Sequence, residues 1–307
     1  MNSTPLVSVL IVNYRSSEHL RTCLAALAVS TARDSLEVIV VDNDAESFPL
    51  SEFQRDFPFV RFLPQDANTT FTGGNNRAFD ASSGDFILLL NPDTQPEPEA
   101  IERARDWFNR HPVATGVGAW LYGEDGSLQR YYRRIPTLLD VPIVLLPTLL
   151  HWTPRGRRYL MADESFTGLT RAPQPPGAFL MVRRPVDGPL LDPGYFNLVS
   201  DVELCDRLGQ KGEVVVSDEV RCMHVRGGAG LRTADPVARL RLFHDLTWGV
   251  RRYYRKRVRG LRLLYVEAWI AVFWILRLVQ AVVQLRGRAK EALGIAAAAM
   301  AGKPPRY

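Results

Sequence analysis

Three short runs of unbroken apolar residues, each ending in an amide or carboxylate side chain, constrain this chain more than any other feature. They are VSVLIVNY (7–14), LEVIVVDN (36–43) and GDFILLLNPD (84–93). They are rich in β-branched residues and do not alternate, so they read as strands with both faces covered. The stretch after Ser16-Ser17-Glu18 has Leu20, Leu24 and Leu27 at helical spacing. VRFLPQ (60–65) reads as a shorter strand, and residues 75–82 as a helix entered from a glycine pair. EPEAIERARDWFNRH (97–111) reads as a helix with acids in its first turn, where the dipole favours them. Strand–helix–strand alternation of this kind implies an α/β fold around a mostly parallel sheet.

Open parallel sheets bind ligands beyond the carboxyl ends of their strands. Those ends here are Asn13-Tyr14, Asp42-Asn43 and Asn91-Pro92-Asp93. One such end is usually a loop cap; three together suggest a binding edge. FTGGNNRAF (71–79) sets a glycine pair before a helix, where backbone can approach a phosphate or sugar and the dipole favours negative charge. Neither GxxxxGK[ST] nor GxGxxG is present, so the two commonest nucleotide fingerprints are excluded. Asp93, read as an exposed carboxylate beyond a buried strand, suits a hard divalent cation such as Mg²⁺ or Mn²⁺, which could neutralise a leaving diphosphate.

The second half is less regular. PPGAFLMVRR (175–184) reads as a strand, and EVVVSDEVRCMHV (213–225) as one or two. In LVSDVELCDRLGQKGEV (198–214), Val202, Cys205 and Leu208 have helical spacing. Ser200 or Asp201 is then either the N-cap or, for Asp201, a general base. His224 precedes RGGAG and is either a structural group or a ligand. Three prolines punctuate the region of LLDVPIVLLPTLLHW (138–152), which is either a buried loop with short helical turns or a membrane- or acceptor-facing surface. No internal repeat is visible.

The chain of 307 residues carries 38 basic and 33 acidic side chains, a net charge of +5, so distribution matters more than excess. RRYYRKRVR (251–259) concentrates the positive charge and suggests an anionic surface. LRLLYVEAWIAVFWILRLVQAVVQL (261–285) follows directly, which makes lipid a simpler partner than nucleic acid. This stretch is short for a membrane span. Arg277, Gln280, Gln284 and Arg288 form a polar stripe, which suits a helix lying in the membrane interface with Trp269 and Trp274 near the headgroups. The alternatives are a helix packed on the catalytic domain, a homodimer interface, or a true span. Cys23, Cys205 and Cys222 have neither zinc nor CxxC spacing and read as reduced core residues. The N-terminus lacks the basic region of a signal peptide. These features predict two regions, a catalytic domain over 1–235 and a basic, apolar helical region over 236–307, in a protein at the cytoplasmic face of the cell membrane.

VSVLIVNY, VIVVDN, FTGGNNRAF, GDFILLLNPDT, PPGAFLMVRR, SDVELCDRLGQKG and MHVRGGAG, in that order over residues 7–230, resemble glycosyltransferase family 2. The nearest likeness is to bacterial rhamnosyltransferases that build cell-surface polysaccharides. The resemblance implies a GT-A, Rossmann-like fold and a nucleoside-diphosphate-sugar donor such as dTDP-L-rhamnose. It implies a glycan or polyprenyl-linked acceptor and a single inverting displacement. It places Asn13, Tyr14 and Asp42 at the nucleotide, and Gly73, Gly74, Asn75 and Asn76 beside the donor sugar and diphosphate. Asp93 and His224 fall at the metal, and Asp201 at the catalytic base. The chain departs from the family's pattern where Asn91 replaces the first carboxylate of DxD, and at Ser200 and Glu203, which concern acceptor binding. A non-catalytic sugar-nucleotide-binding scaffold is the alternative. A nucleotidyltransferase would want a glycine-rich basic loop near the N-terminus, and VNYRSSEHL is not one.

Overall fold

The computed structural model describes residues 7–44, 47–185, 188–225, 235–284 and 289–305. The first half runs β1 (Val7–Asn13), α1 (Ser17–Ala28), β2 (Leu36–Asp42), α2 (Leu50–Asp56), β3 (Val60–Pro64), α3 (Thr70–Asp80), β4 (Phe86–Leu90), β5 (Thr94–Pro96) and α4 (Ala100–Arg110). The middle contains β6 (Ala114–Tyr122), the short helices α5 (Val141–Leu145), α6 (Pro147–Leu150) and α7 (Pro154–Tyr159), β7 (Leu169–Thr170) and β8 (Phe179–Arg183). Then come α8 (Ser200–Gly209), β9 (Glu213–His224), α9 (Pro236–Arg255), α10 (Leu261–Gln284) and α11 (Ala289–Met300).

One sheet runs in the order β3-β2-β1-β4-β8-β6-β9-β5, with β7 on β9. β3, β2, β1 and β4 are parallel neighbours, and β6 and β9 are parallel to each other. β8 runs against both β4 and β6. Among the long strands, therefore, only β8 is reversed, and the sheet is mostly parallel as the apolar runs imply. Both faces are covered. Val9 and Ile11 pack with Leu20, Leu24, Trp107 and Phe108 of α1 and α4. Leu10 between them packs with Ala78 and Phe79 of α3 and Leu204 and Cys205 of α8. Each such aliphatic side chain contributes about 1.5–3 kcal/mol when fully buried.

Five elements lie outside the sequence-based expectation: α2, α7, β5, β6 and β7. β6 (ATGVGAWLY) escapes because Gly116 and Gly118 break its apolar run. A Cβ on Gly118 would lie 2.5 Å from Pro175 Cβ, so the strand needs glycine to accept that loop. The punctuated stretch 138–152 forms a short 3₁₀ turn, α5 and α6, with Val141, Ile143 and Leu145 buried. The buried-turn alternative thus describes residues 141–146, while Leu139, Leu149 and Trp152 are exposed.

The helix at the glycine pair starts earlier than expected, at Thr70, so Gly73 and Gly74 lie inside α3 and not before it. Its early start is secured from outside. Phe71 N donates to Asn197 Oδ1 at 2.9 Å and Thr72 N to Phe196 O at 2.8 Å. α9, α10 and α11 share a hydrophobic cluster with Val141, Tyr195, Val199 and Val202. Trp274, expected near lipid headgroups, is buried in that cluster and donates to Thr247 Oγ1. The polar stripe falls largely outside the described side chains; Arg277 lies over the rings of Phe243 and Phe273. Among the described residues no helix is long and apolar enough to cross a membrane.

Candidate active site

The strand directions collect the chemistry at one edge. β1, β2, β4, β6 and β9 all end there, and the reversed β8 begins there. Asn13 and Asp42 are register partners on β1 and β2, and Asn13 Nδ2 donates to Asp42 Oδ1 at 2.7 Å. Burial raises the Asp42 carboxyl, opposed by hydrogen bonds from Asn13 and from the Asp44 amide. Tyr14 is 43% exposed at the end of β1, with the Arg15 guanidinium 5.2 Å from its ring centre.

After β4, Asn91 N donates to Ala178 O and Asn91 O accepts from Thr94 N and Thr94 Oγ1. This tight turn presents Asp93, which is 4% exposed and not open as expected, because the β5–β9 pairing folds over it. Thr94 pairs with His224 across that ladder, and Val225 N donates to Asp93 O. Asp93 Oδ1 then lies 3.6 Å from His224 Nε2.

Gln129 fixes the histidine ring. Its Nε2 donates to His224 O at 2.7 Å, which turns Oε1 toward Nδ1, also at 2.7 Å. Nδ1 therefore carries a proton, and in the neutral ring the Nε2 lone pair faces Asp93. A carboxylate oxygen and an imidazole lone pair at this separation fit neighbouring ligand positions on one divalent cation, which stand about 3 Å apart for bonds of roughly 2.1 Å. Among the described residues no third His, Cys, Asp or Glu joins them. Two protein ligands leave room for diphosphate oxygens to complete the shell.

Asp201 sits in the first turn of α8, its Oδ1 accepting from Val202 N at 2.9 Å. Burial raises its carboxyl above the ordinary range, against the lowering effects of two backbone amides and the Arg133 charge. A Cβ on Gly177 would touch both Asp201 and Phe71, so Asp201 lies against the start of β8, next to the Asn91 turn. The segment 129–133 ties the two ends together. Gln129 and Tyr131 contact His224, and Arg133 acts on Asp201. No sequence motif marked this segment, because it is irregular and contributes single side chains.

The structure gives the α3 residues other tasks. Gly74 packs on β1, where a Cβ would come within 2.8 Å of both Val12 methyls. Asn75 Nδ2 donates to Phe71 O. Asn76 donates to Leu191 O and accepts from Leu191 N. Two first-turn amides of α3 are taken by residues 196 and 197, which removes them from the phosphate cradle that the glycine pair suggested. Three buried polar atoms at this edge have no partner among the described residues: Asn13 Oδ1, Thr72 Oγ1 and Ser200 Oγ. Buried polar atoms are rarely left so, and a bound ligand is one way to satisfy them. Thr70 (φ 68°) and Val199 (φ 70°) are β-branched residues in left-handed conformation, each costing about 1–3 kcal/mol, and both border this edge. Cys23, Cys205 and Cys222 are buried free thiols; burial pushes Cys23 to about 12, so none is reactive.

Arg251 is the one buried cation of the basic block; Arg255, Lys256, Arg257 and Arg259 are exposed, but most of the block is ion-paired within the molecule. Arg251 is buried against Glu267, Arg252 and Lys256 hold Asp192, Arg257 holds Asp206, and Arg255 reaches Glu267. Five of its six cations thus have a carboxylate partner in the molecule, most of them at the surface.

A family model for glycosyl transferase family 2 matches residues 8–187. The chain is 31% identical over 265 residues to an N-acetylglucosaminyl-diphospho-decaprenol L-rhamnosyltransferase of Mycobacterium tuberculosis, covering 80% of this chain and 83% of the relative. It is 29% identical over 166 residues to the uncharacterized glycosyltransferase YibD of Escherichia coli K12, covering 52% and 47% of the two chains. Among solved structures it resembles the mannosyltransferase PcManGT of Pyrobaculum calidifontis in complex with GDP-Man and Mn²⁺. The TM-score is 0.54 at 12% identity, covering 98% of this chain and 86% of that one. It also resembles GalNAc-T7 with UDP, GalNAc and Mn²⁺, with TM-score 0.55 at 13% identity, covering 88% and 55%. The family model covers more than half of the chain, and the chain belongs to glycosyl transferase family 2.

Proposed function

We propose that this glycosyltransferase moves L-rhamnose from dTDP-L-rhamnose to a lipid-linked N-acetylglucosaminyl diphosphate, inverting the anomeric centre with the help of Mg²⁺ or Mn²⁺. The observation that carries the reading is the shared edge: an Asp93–His224 pair oriented by Gln129, with Asp201 joined to it through residues 129–133. The mycobacterial relative supports the sugar and the acceptor. The two Mn²⁺-containing neighbours support the cation.

Asn13 and Asp42 hold the nucleoside, with Asn13 Oδ1 still able to accept, and the exposed Tyr14 ring covers the base. Gly73, Gly74, Asn75 and Asn76 shape the wall beside the donor through packing and not through their amides. Asp93 and His224 hold a cation that neutralises charge on the departing diphosphate. Asp201 takes the proton from the acceptor hydroxyl as its oxygen bonds to the anomeric carbon. The bond from that carbon to the diphosphate breaks, and the nucleoside diphosphate leaves with the electron pair. Its raised carboxyl makes Asp201 a stronger base than an ordinary aspartate, and general-base help is worth about 10²–10⁴-fold. The acceptor's lipid keeps the reaction at a membrane surface, and the exposed apolar stripe of α10 is the surface that would rest there.

A panel of nucleotide sugars tests this, with Mg²⁺ or Mn²⁺ and then with EDTA, followed by NMR of the product's anomeric configuration. Metal-dependent turnover of dTDP-L-rhamnose with inversion is expected. Turnover of a different donor overturns the sugar, and retention overturns the single displacement.

A further inference from the structure

We infer that α9 is a positioning element for the base: Asp245 and Gly249 hold the strained turn before α8 and so set where Asp201 points. This rests on the reading of Asp201 as the base.

The turn is gripped from two sides. Residues 192–198 run along one face of α9 in the opposite direction to the helix, and Val199 turns back to Gly249. Arg252 holds Asp192 at 2.7 Å, and Trp248 Nε1 donates to Gly194 O at 2.9 Å. Asp245 Oδ2 accepts from both Asn197 N (3.0 Å) and Leu198 N (3.1 Å). Gly249 lies one helical turn beyond Asp245, on the same face. A Cβ there would come within 2.8 Å of Val199 Cγ2, 2.9 Å of its Cβ and 3.0 Å of Leu198 O. The glycine is thus a notch into which Val199 fits.

From the other side, α3 holds the same turn through Phe71 N on Asn197 Oδ1 and Thr72 N on Phe196 O. Val199 has φ 70°, a conformation a β-branched residue does not keep unless its surroundings impose it. It is followed at once by Ser200 and Asp201. A shift of Val199 therefore rotates the first turn of α8 and the Asp201 carboxylate with it. Asp245 is fully buried, and nothing about a sheet with two covered faces requires a carboxylate on the C-terminal helix at this point. The catalytic region and the C-terminal helices would then be one functional unit.

The experiment compares Asp201→Asn, Asp245→Ala, Asp245→Asn, Gly249→Ala and Gly249→Ala/Val199→Gly for dTDP-L-rhamnose binding, kcat, thermal midpoint and amide hydrogen exchange. Asp245→Ala and Gly249→Ala are expected to lose about 10²-fold in kcat, the cost of a base misplaced by about 1 Å, with donor KM nearly unchanged. Asp245→Asn keeps an oxygen for both amides and is expected to recover most of the loss. The second substitution in Gly249→Ala/Val199→Gly removes the two closest clashing atoms, leaving only Leu198 O at 3.0 Å, and should restore turnover toward wild type. Exchange in peptides covering 196–205 should speed up in the impaired variants, a readout independent of the donor used. Folded Asp245→Ala and Gly249→Ala at wild-type kcat or unchanged exchange, or kcat losses that merely follow donor binding and thermal midpoint, would overturn the inference. Wild-type turnover in Asp201→Asn would instead overturn the base assignment, so the two failures are distinguishable.

Discussion

Asp201 poses a conflict between stability and chemistry that can be measured. Its folded carboxyl is raised above the ordinary aspartate value of 3.8, first by burial. The folded state therefore binds that proton more tightly than the unfolded chain does. The group favours folding at pH values below the ordinary carboxylate range, and that contribution is lost as pH rises through the raised folded value. At neutral pH the charged form costs stability. Asp201→Asn keeps an oxygen for Val202 N and removes the charge, so it should raise the thermal midpoint at pH 7 while lowering kcat by about 10²–10⁴-fold. The acid limb of the wild-type kcat/KM profile should lie above 3.8. A variant that is both active and less stable would refute this account. Gln129 allows a second test. It touches only His224 among the candidate ligands, so Gln129→Ala should weaken Mn²⁺ affinity by about 10–100-fold, as loss of such orienting partners does. Titration calorimetry with Mn²⁺ and the donor nucleotide would measure it. Asn13, Asp42 and His224 were legible in the sequence because they end strands, and Asp93 because it follows one; Asp201, in the first turn of α8, stood out only in an acidic segment and through the family resemblance. Gln129 and Arg133 were not, since their significance depends on a loop whose path no periodicity encodes.

At the scale of elements, the glycine pair shows how a motif can be visible while its physical use is not. FTGGNNRAF marks a close approach of backbone, and there is one, but the approaching partner at Gly74 is Val12 of the neighbouring strand. The helix N-terminus was misplaced because Thr70 takes a left-handed conformation and the next two amides bond to residues more than 120 positions away. No local pattern carries that information. The parallel half of the sheet was legible because burial on both faces produces apolar runs. β6 was not, because its glycines serve packing and interrupt the signal. Gly74→Ala should cost about 1–3 kcal/mol of stability by overpacking against Val12. Gly73→Ala, which meets only Thr69 Cβ at 3.2 Å, should be nearly neutral. Denaturant melts of both, beside their donor affinities, decide between packing and cradling. If both variants keep stability and lose donor binding, the pair approaches the diphosphate directly.

At the scale of the whole molecule, the C-terminal helices interlock with the catalytic region. Asp192 shows this. Burial would raise its carboxyl, but hydrogen bonds from Arg252, Lys256 and the Gly194 amide outweigh that and hold it at about 2. Arg252, Lys256 and Arg257 thus fasten the basic block to Asp192 and Asp206 of the catalytic region, and Arg251 and Arg255 fasten it to Glu267 of α10, which a count of charges along the chain could not distinguish. The outward face of α10 carries Leu261, Leu264, Val272, Ile275, Leu276 and Val279, all exposed, at helical spacing. Membrane contact, if it follows the proposed lipid-linked acceptor, should then depend on apolar burial more than on charge. Leu264→Asp/Ile275→Asp should abolish co-sedimentation with vesicles and leave the thermal midpoint unchanged, since neither side chain packs inside. Binding to neutral phosphatidylcholine vesicles should approach binding to vesicles containing anionic lipid. Raising salt should reduce it only slightly, because exposed charges are screened beyond about 10 Å at 0.1 M while burial of apolar surface is not. Steep salt dependence with an unaffected double variant would return the role of anchor to the basic block, and would require the ion pairs of Arg255 and Lys256 to open at the membrane.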